Sequence, residues 1–215
     1  MEINYSTEVA KQLLRIKAIK LSVDQPFTWA SGWKSPIYCD NRKTYFYPEI
    51  RNMITENFVA LIRQYFSEVE VIAGVATGAI AYGALVADRL NLPFVYVRSE
   101  PKKHGLENLI EGEQPKNKKV VVVEDLISTG GSSLKAVQAL RNNQANVLGL
   151  IAIFTYQFDV ASKAFEENKC LFYTLSNYET LIKAAIDNNY VQQAHLETLS
   201  EWRKSPSTWK NKTLC

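Results

Sequence analysis

Two adjacent carboxylates, Glu124 and Asp125, follow a run of four valines and precede a segment rich in Ser, Thr and Gly. Small residues let backbone N–H groups approach an anion, and a helix that begins there adds partial positive charge. We therefore predict a phosphate site, with the hydroxyls of Ser128, Thr129 and Ser132 as further donors. Because like charges repel, the two carboxylates suit the hydroxyls of a sugar. The segment thus indicates a ribose 5-phosphate.

A second segment concentrates positive charge. Arg98, Lys102, Lys103 and His104 fall within seven residues, and two glycines further along would allow the segment to hinge. A closing loop of this kind can stabilise a departing anion such as pyrophosphate and exclude water. A solvated surface loop is the alternative interpretation of the same residues.

These segments lie in a regular alternation of strands and helices, which predicts an α/β fold with a parallel sheet. Near-continuous apolar strands indicate burial on both faces of the sheet. The five predicted strands are residues 69–75, 94–98, 119–124, 147–154 and 171–175, and the helices between them are 80–90, 131–142 and 158–167. Ligands of such sheets bind beyond the carboxyl ends of the strands, where both charged segments begin.

The remaining elements flank this alternation. The patterns predict helices at 6–19, 48–66, 179–187 and 191–203, and short extended pieces at 27–29 and 37–39. About twenty residues between the second and third strands lack a helical pattern, which is typical of a lid or a binding loop.

Composition narrows the class of protein. The 215 residues suit one domain, and a net charge of +3 argues against a dedicated nucleic-acid binder. Three cysteines without paired spacing indicate a reducing compartment, and two histidines exclude a His-rich metal site. With no signal-peptide pattern and no long apolar run, we expect a cytoplasmic protein that binds neither membrane nor nucleic acid.

The acidic and glycine-rich segment resembles the phosphoribosyl pyrophosphate (PRPP) motif of the type I phosphoribosyltransferases. The resemblance implies their fold, a parallel five-stranded sheet flanked by helices with a small N-terminal hood. It also implies that nine consecutive residues bind PRPP: Glu124, Asp125, Leu126, Ile127, Ser128, Thr129, Gly130, Gly131 and Ser132.

The basic segment is similar to the catalytic loop of the orotate branch of this family, whose core is R-x-E-x-K-x-H-G. Arg98, Glu100, Lys102, His104 and Gly105 fit that frame. The resemblance implies that Lys102 is the main catalytic lysine and that Arg98 and His104 contact pyrophosphate. It also implies a homodimer, because the loop of these enzymes reaches into the neighbouring subunit's site.

Residues 27–40 resemble the N-terminal signature of the same branch, F-x-x-x-S-G-x-x-S-P-x-Y. In the family this segment is a hood over the base, so the resemblance places orotate beneath it and near Ser128. It implies one domain over residues 1–215, with 1–45 as the hood and 46–205 as the α/β core. The alternative is a β-hairpin whose tryptophans form a small core of their own.

Four positions depart from the family pattern. Many relatives carry a lysine where this chain has Ser99, some carry one where it has Ala30, and some have a Tyr-Lys pair where it has Thr77 and Gly78. The turn around Gly78 follows a predicted strand, so its N–H groups could hold pyrophosphate oxygens. Tight strand–helix packing explains its small residues equally well.

The resemblance implies transfer of a phosphoribosyl group from PRPP to orotate, a glycosyltransferase step of de novo pyrimidine biosynthesis. Mg²⁺ would be held mainly by PRPP, with Glu124 or Asp125 acting directly or through water. Two alternatives remain open. One is a purine phosphoribosyltransferase, and the other is a non-catalytic regulator that binds PRPP and DNA.

Overall fold

The computed structural model describes residues 5–100 and 109–209. The chain begins with helix α1 (Tyr5–Arg15), four short strands and a 3₁₀ helix (Asn41–Phe46), and continues into helix α2 (Pro48–Tyr65). The four strands are β1 (Ile19–Leu21), β2 (Phe27–Thr28), β3 (Lys34–Ser35) and β4 (Ile37–Cys39). They form two antiparallel pairs, β1 with β4 and β2 with β3.

The central sheet contains the five predicted parallel strands, which the structure confirms. Their bounds are β5 (Val71–Val75), β6 (Phe94–Val97), β8 (Lys119–Ile127), β9 (Asn146–Thr155) and β10 (Phe172–Asn177). A two-residue strand, β7 (Ile110–Glu111), adds a sixth that runs antiparallel to β6. The order across the sheet is β10-β9-β8-β5-β6-β7.

Helices cover both faces of this sheet. They are α3 (Ile80–Leu90), α4 (Gly131–Asn142), α5 (Asp159–Glu167), α6 (Tyr178–Asp187) and α7 (Leu196–Lys204). The valines of β8 show how the strand serves both layers, because side chains alternate along a strand. Val121 and Val123 lie in the core that contains α1, α2 and α6, whereas Val120 and Val122 lie in the core beneath α4 and α5.

Three predicted boundaries, those of the first helix, the last helix and strand β8, are wrong. The first helix ends at Arg15 instead of residue 19, because Lys17 takes a left-handed φ of 55° and Ile19 pairs with β4. The last helix starts at Leu196, after a 3₁₀ turn (Gln193–His195).

Strand β8 also continues past its predicted end at Glu124, because its pairing with β9 extends to Ile127. The two carboxylates therefore belong to the strand, and the turn before α4 is shorter than predicted. None of the helices in the described ranges is long and apolar enough to cross a membrane.

Candidate functional site

A cavity of about 310 Å³ opens where β5 and β8 end. Its lining residues are Val75, Ala76, Thr77, Gly78, Glu124, Asp125, Leu126, Ser128, Thr129, Gly130, Gly131 and Ser132. Eight of the nine consecutive residues predicted to bind PRPP therefore surround one space. The ninth, Ile127, has its side chain fully buried in the core beneath α4 and α5, so only its backbone could contact PRPP.

The floor of this cavity is the N-terminus of α4. Gly130 precedes the helix with a φ of 84°, a conformation that residues with a side chain rarely adopt. A β-carbon there would also lie 3.0 Å from the Phe165 ring. No side chain among the described residues caps α4, so its first N–H groups remain available to an anion. The short turn thus has the backbone geometry that an anion cradle requires.

The two carboxylates on the wall of the cavity differ in their partners. Glu124 is 4% exposed, and its carboxylate accepts hydrogen bonds from Ser133 Oγ at 2.9 Å and from the backbone N–H of Asp125 at 3.0 Å. Burial raises the pKa of Glu124 well above its usual range, and the neighbouring Asp125 charge raises it further. Burial raises the pKa of Asp125 as well. Burial therefore disfavours the ionised form of both groups relative to solvent.

The 3₁₀ helix braces the wall from the side of the hood. Asn41 Nδ2 donates to the backbone oxygen of Asp125 at 2.6 Å, and the Tyr45 hydroxyl donates to the backbone oxygen of Gly78. The sequence analysis missed both residues, since they lie outside the motifs. The one feature of the sequence that could have indicated Asn41 was its position as a polar residue directly after the segment 27–40.

The close approach of Asp125 explains why position 78 is a glycine. A β-carbon at this position would collide with the carboxylate of Asp125. The lysine that relatives carry at position 78 is therefore incompatible with this arrangement of the acidic pair. This departure from the family pattern therefore has a structural explanation, and no side chain projects from position 78 of the cavity wall.

A second cavity of about 330 Å³ adjoins the first, since Leu126 and Ser128 line both. Its lining residues are Thr28, Trp29, Ala30, Tyr38, Cys39, Leu126, Ser128 and Tyr156. Five of these eight residues come from the segment 27–40. Tyr156, which directly follows β9, was missed because it ends an ordinary core strand in the sequence.

The hood is held to the core by aromatic contacts. The Trp29 ring lies 5.2 Å from Tyr156 and 5.7 Å from the buried Trp202 of α7, measured between ring centroids. Trp29 Nε1 donates to Ile37 O at 3.0 Å, and Trp202 Nε1 donates to Lys34 O at 3.2 Å. The pair β2–β3 is thus a small hairpin, but its tryptophan Trp29 joins the main core and also lines the second cavity.

The predicted catalytic residues are only partly described. Arg98 follows β6, and its guanidinium meets the Glu111 carboxylate at 3.4 Å instead of lining either cavity. Lys102, His104 and Gly105 lie outside the described residues. Within residues 5–100 and 109–209, no group of three His, Cys, Asp or Glu side chains is placed to hold a metal ion alone.

Comparisons with known proteins agree with this geometry. The family model described as "Phosphoribosyl transferase domain" matches residues 45–191. An orotate phosphoribosyltransferase of Cytophaga hutchinsonii is 56% identical over 207 residues, covering 96% of this chain and 99% of that protein. One of Listeria innocua is 54% identical over 202 residues, covering 94% of this chain and 97% of that protein.

A solved structure gives the same relationship. The crystal structure of orotate phosphoribosyltransferase from Aeropyrum pernix matches with a TM-score of 0.74 and 26% identity, covering 86% of this chain and 99% of that one. The matches extend over nearly the whole chain, hood included. The chain therefore belongs to the phosphoribosyltransferase family and, within that family, to the orotate phosphoribosyltransferases.

Proposed function

We propose that this enzyme transfers the 5-phosphoribosyl group of PRPP to orotate, giving orotidine 5′-monophosphate and pyrophosphate in de novo pyrimidine biosynthesis. The observation that carries the proposal is the meeting of two cavities at Ser128. One offers an anion cradle and carboxylates for a sugar phosphate. The other has flat aromatic walls suited to a planar base.

PRPP fits the first cavity in one orientation. Its 5-phosphate lies in the turn from Ser128 to Ser132, where hydroxyls and the N-terminus of α4 donate hydrogen bonds. Its ribose hydroxyls then face Glu124 and Asp125, which act as acceptors. In this orientation, C1 of the ribose points toward Ser128 and the second cavity, in which the base binds.

Mg²⁺ suits this wall of the cavity, because carboxylate oxygens are the ligands that it prefers. When bound, it would supply positive charge that offsets the negative charge of the pyrophosphate. Glu124 and Asp125 would contact it directly or through water. Both carboxylates would lose their protons more readily beside such a cation, which offsets the effect of their burial.

The catalytic task of the protein is electrostatic and positional. As the C1–pyrophosphate bond breaks, the ribose approaches an oxocarbenium ion and negative charge collects on the leaving group. Arg98, Lys102 and His104 would stabilise that charge. The Arg98–Glu111 ion pair keeps the arginine at the base of the loop, from which it can turn toward the pyrophosphate. We expect Lys102→Ala to lower kcat by about 10²–10³, measured in the steady state.

The wider organisation follows from the same resemblance. Residues 1–45 would form the hood over the base and residues 46–205 the α/β core of a single domain. The loop would act across a homodimer interface. A cytoplasmic location is supported by Cys39 and Cys170, which are free thiols.

The test is a spectrophotometric assay of purified protein with PRPP, Mg²⁺ and orotate. We expect a loss of orotate absorbance that requires all three components and does not occur when adenine, hypoxanthine or uracil replaces orotate. Turnover with a purine alone would overturn the substrate assignment. Absence of turnover with every base, combined with PRPP binding and a DNA gel shift at physiological salt, would instead indicate a regulator.

A further inference from the structure

The described lining of the second cavity lacks a charged side chain that could bind an anionic base. Orotate carries a carboxylate at neutral pH, yet the residues described as lining the cavity include no charged side chain. A carboxylate without a cationic or hydrogen-bonding partner is costly to desolvate. Position 30, where relatives carry a lysine, holds Ala30 and belongs to this lining. A cation at a neighbouring position would supply the missing positive charge.

Lys34 stands at such a position. It lies opposite Thr28 in the β2–β3 pair, so the two side chains share one face of the hairpin. Its Nζ donates to Thr28 Oγ1 at 2.8 Å, and Thr28 lines the cavity. An ammonium group has three donors, so this bond leaves two for a ligand. The ammonium thus contacts the hydroxyl of Thr28, a residue of the cavity wall.

The backbone of Lys34 is held firmly, although its side chain is exposed. Its carbonyl accepts the indole N–H of Trp202, which is fully buried. The next residue, Ser35, is also buried, and its hydroxyl bridges to the backbone of Ile37. The hairpin therefore presents the lysine from a fixed base, which limits the entropy lost when its ammonium is captured.

Two arginines of the flanking elements already have carboxylate partners. Arg42 Nε meets Asp40 at 2.7 Å, and Arg98 meets Glu111 at 3.4 Å. Lys34, by contrast, contacts a neutral hydroxyl, and no ion pair to it is seen among the described residues. No carboxylate among the described residues therefore compensates its charge.

We propose that Lys34 determines specificity for the base by binding the carboxylate of orotate, with Thr28 orienting its ammonium. This inference rests on the proposed function and deepens it. It assigns the recognition of the anionic substituent to the hairpin of the hood. The sugar phosphate is recognised separately by the β8–α4 turn.

The test uses two ligands that differ only in this carboxylate. Orotidine 5′-monophosphate carries it and uridine 5′-monophosphate does not, so the ratio of their dissociation constants isolates its contribution. We expect Lys34→Gln to weaken the orotidine nucleotide about tenfold and to leave the uridine nucleotide unchanged. Lys34→Arg retains the charge and should keep most of the ratio.

Lys116→Gln is the matched control, because it removes the same charge from an exposed turn before β8, at the opposite end of the strand from the site. It should leave both constants unchanged. In the steady state, Lys34→Gln should raise the KM for orotate and leave the KM for PRPP unaltered.

An unchanged ratio in Lys34→Gln, with normal binding and turnover in the wild type, would overturn the role of Lys34 and leave the function standing. Equal weakening of both nucleotides would also overturn it, since that would indicate a purely structural effect. If the wild-type enzyme neither turned over orotate nor preferred the orotidine nucleotide, the proposed function itself would fail.

Discussion

Replacing Trp202 by Phe tests how the hood is fastened to the core. The indole of Trp202 is fully buried, donates to Lys34 O at 3.2 Å, and lies 5.7 Å from the ring of Trp29. Phe retains an apolar ring but leaves the carbonyl without its donor, which costs about 1–3 kcal/mol. The smaller ring also leaves a void that adds about 1–2 kcal/mol. We expect the free energy of unfolding to fall by about 2–5 kcal/mol.

The same change should affect one substrate selectively. The second cavity depends on Trp29, which packs on Trp202, whereas the β8–α4 turn has its own supports. We therefore expect the KM for orotate to rise several-fold, on the order of a 1 kcal/mol loss of binding, while the KM for PRPP stays constant. Urea unfolding followed by circular dichroism gives the stability, and steady-state kinetics at saturating co-substrate gives both constants.

Trp209→Phe is the matched control for this experiment. Trp209 is also buried, but no hydrogen bond from its indole nitrogen is seen in the described part of the chain. It should cost less stability and leave the KM for orotate unchanged. The reasoning would be refuted if Trp202→Phe raised both KM values equally, or if the two variants lost the same stability and behaved alike with orotate.

Three further outcomes follow from the first cavity. Gly130→Ala should weaken PRPP binding about tenfold in calorimetry, because the φ of 84° disfavours a side chain and the β-carbon approaches Phe165; unchanged affinity would contradict a tightly shaped cradle. Gly78→Lys should lower kcat/KM by at least about tenfold, because the side chain displaces the Asp125 carboxylate, and a gain in activity would contradict the steric argument. The raised pKa values of Glu124 and Asp125 mean that the folded enzyme binds protons more tightly than the unfolded chain, so their contribution to stability is present below the usual carboxyl pKa range and is lost as the pH rises through the folded values. PRPP with Mg²⁺ favours the ionised forms, so its affinity should rise with pH across that window with proton release on binding, and pH-independent binding without proton release would exclude this coupling.

Much of the fold was predictable because the signals were local. Apolar strands alternating with helices indicated a parallel sheet, and the string from Glu124 to Ser132 placed an anion site at its carboxyl edge. A strand-to-helix turn of small residues has few ways to fold, so its chemistry can be read from its composition. The burial of the Ile127 side chain was not predictable, because a motif does not show which of its side chains turn into the core.

The hood depended on contacts that no local pattern encodes. Its strands have two or three residues each, too short for a periodicity, and Trp29, which follows β2, packs on the distant Trp202. The same reason hid Asn41, which reaches the backbone of Asp125 across 84 positions of the chain. Strand β7 likewise forms because Ile110 and Glu111 pair with the edge of β6.

The sequence by itself determined the α/β class, the parallel strands and the position of the small-residue turn proposed to bind an anion, because these follow from side-chain periodicity and from backbone freedom at small residues. Only the tertiary structure decided that two cavities meet at Ser128, that Gly78 must lack a side chain beside Asp125, and that Lys34 faces Thr28. These facts are distances between segments far apart in the chain. Such distances are set by how the whole core packs, and composition and spacing alone do not contain them.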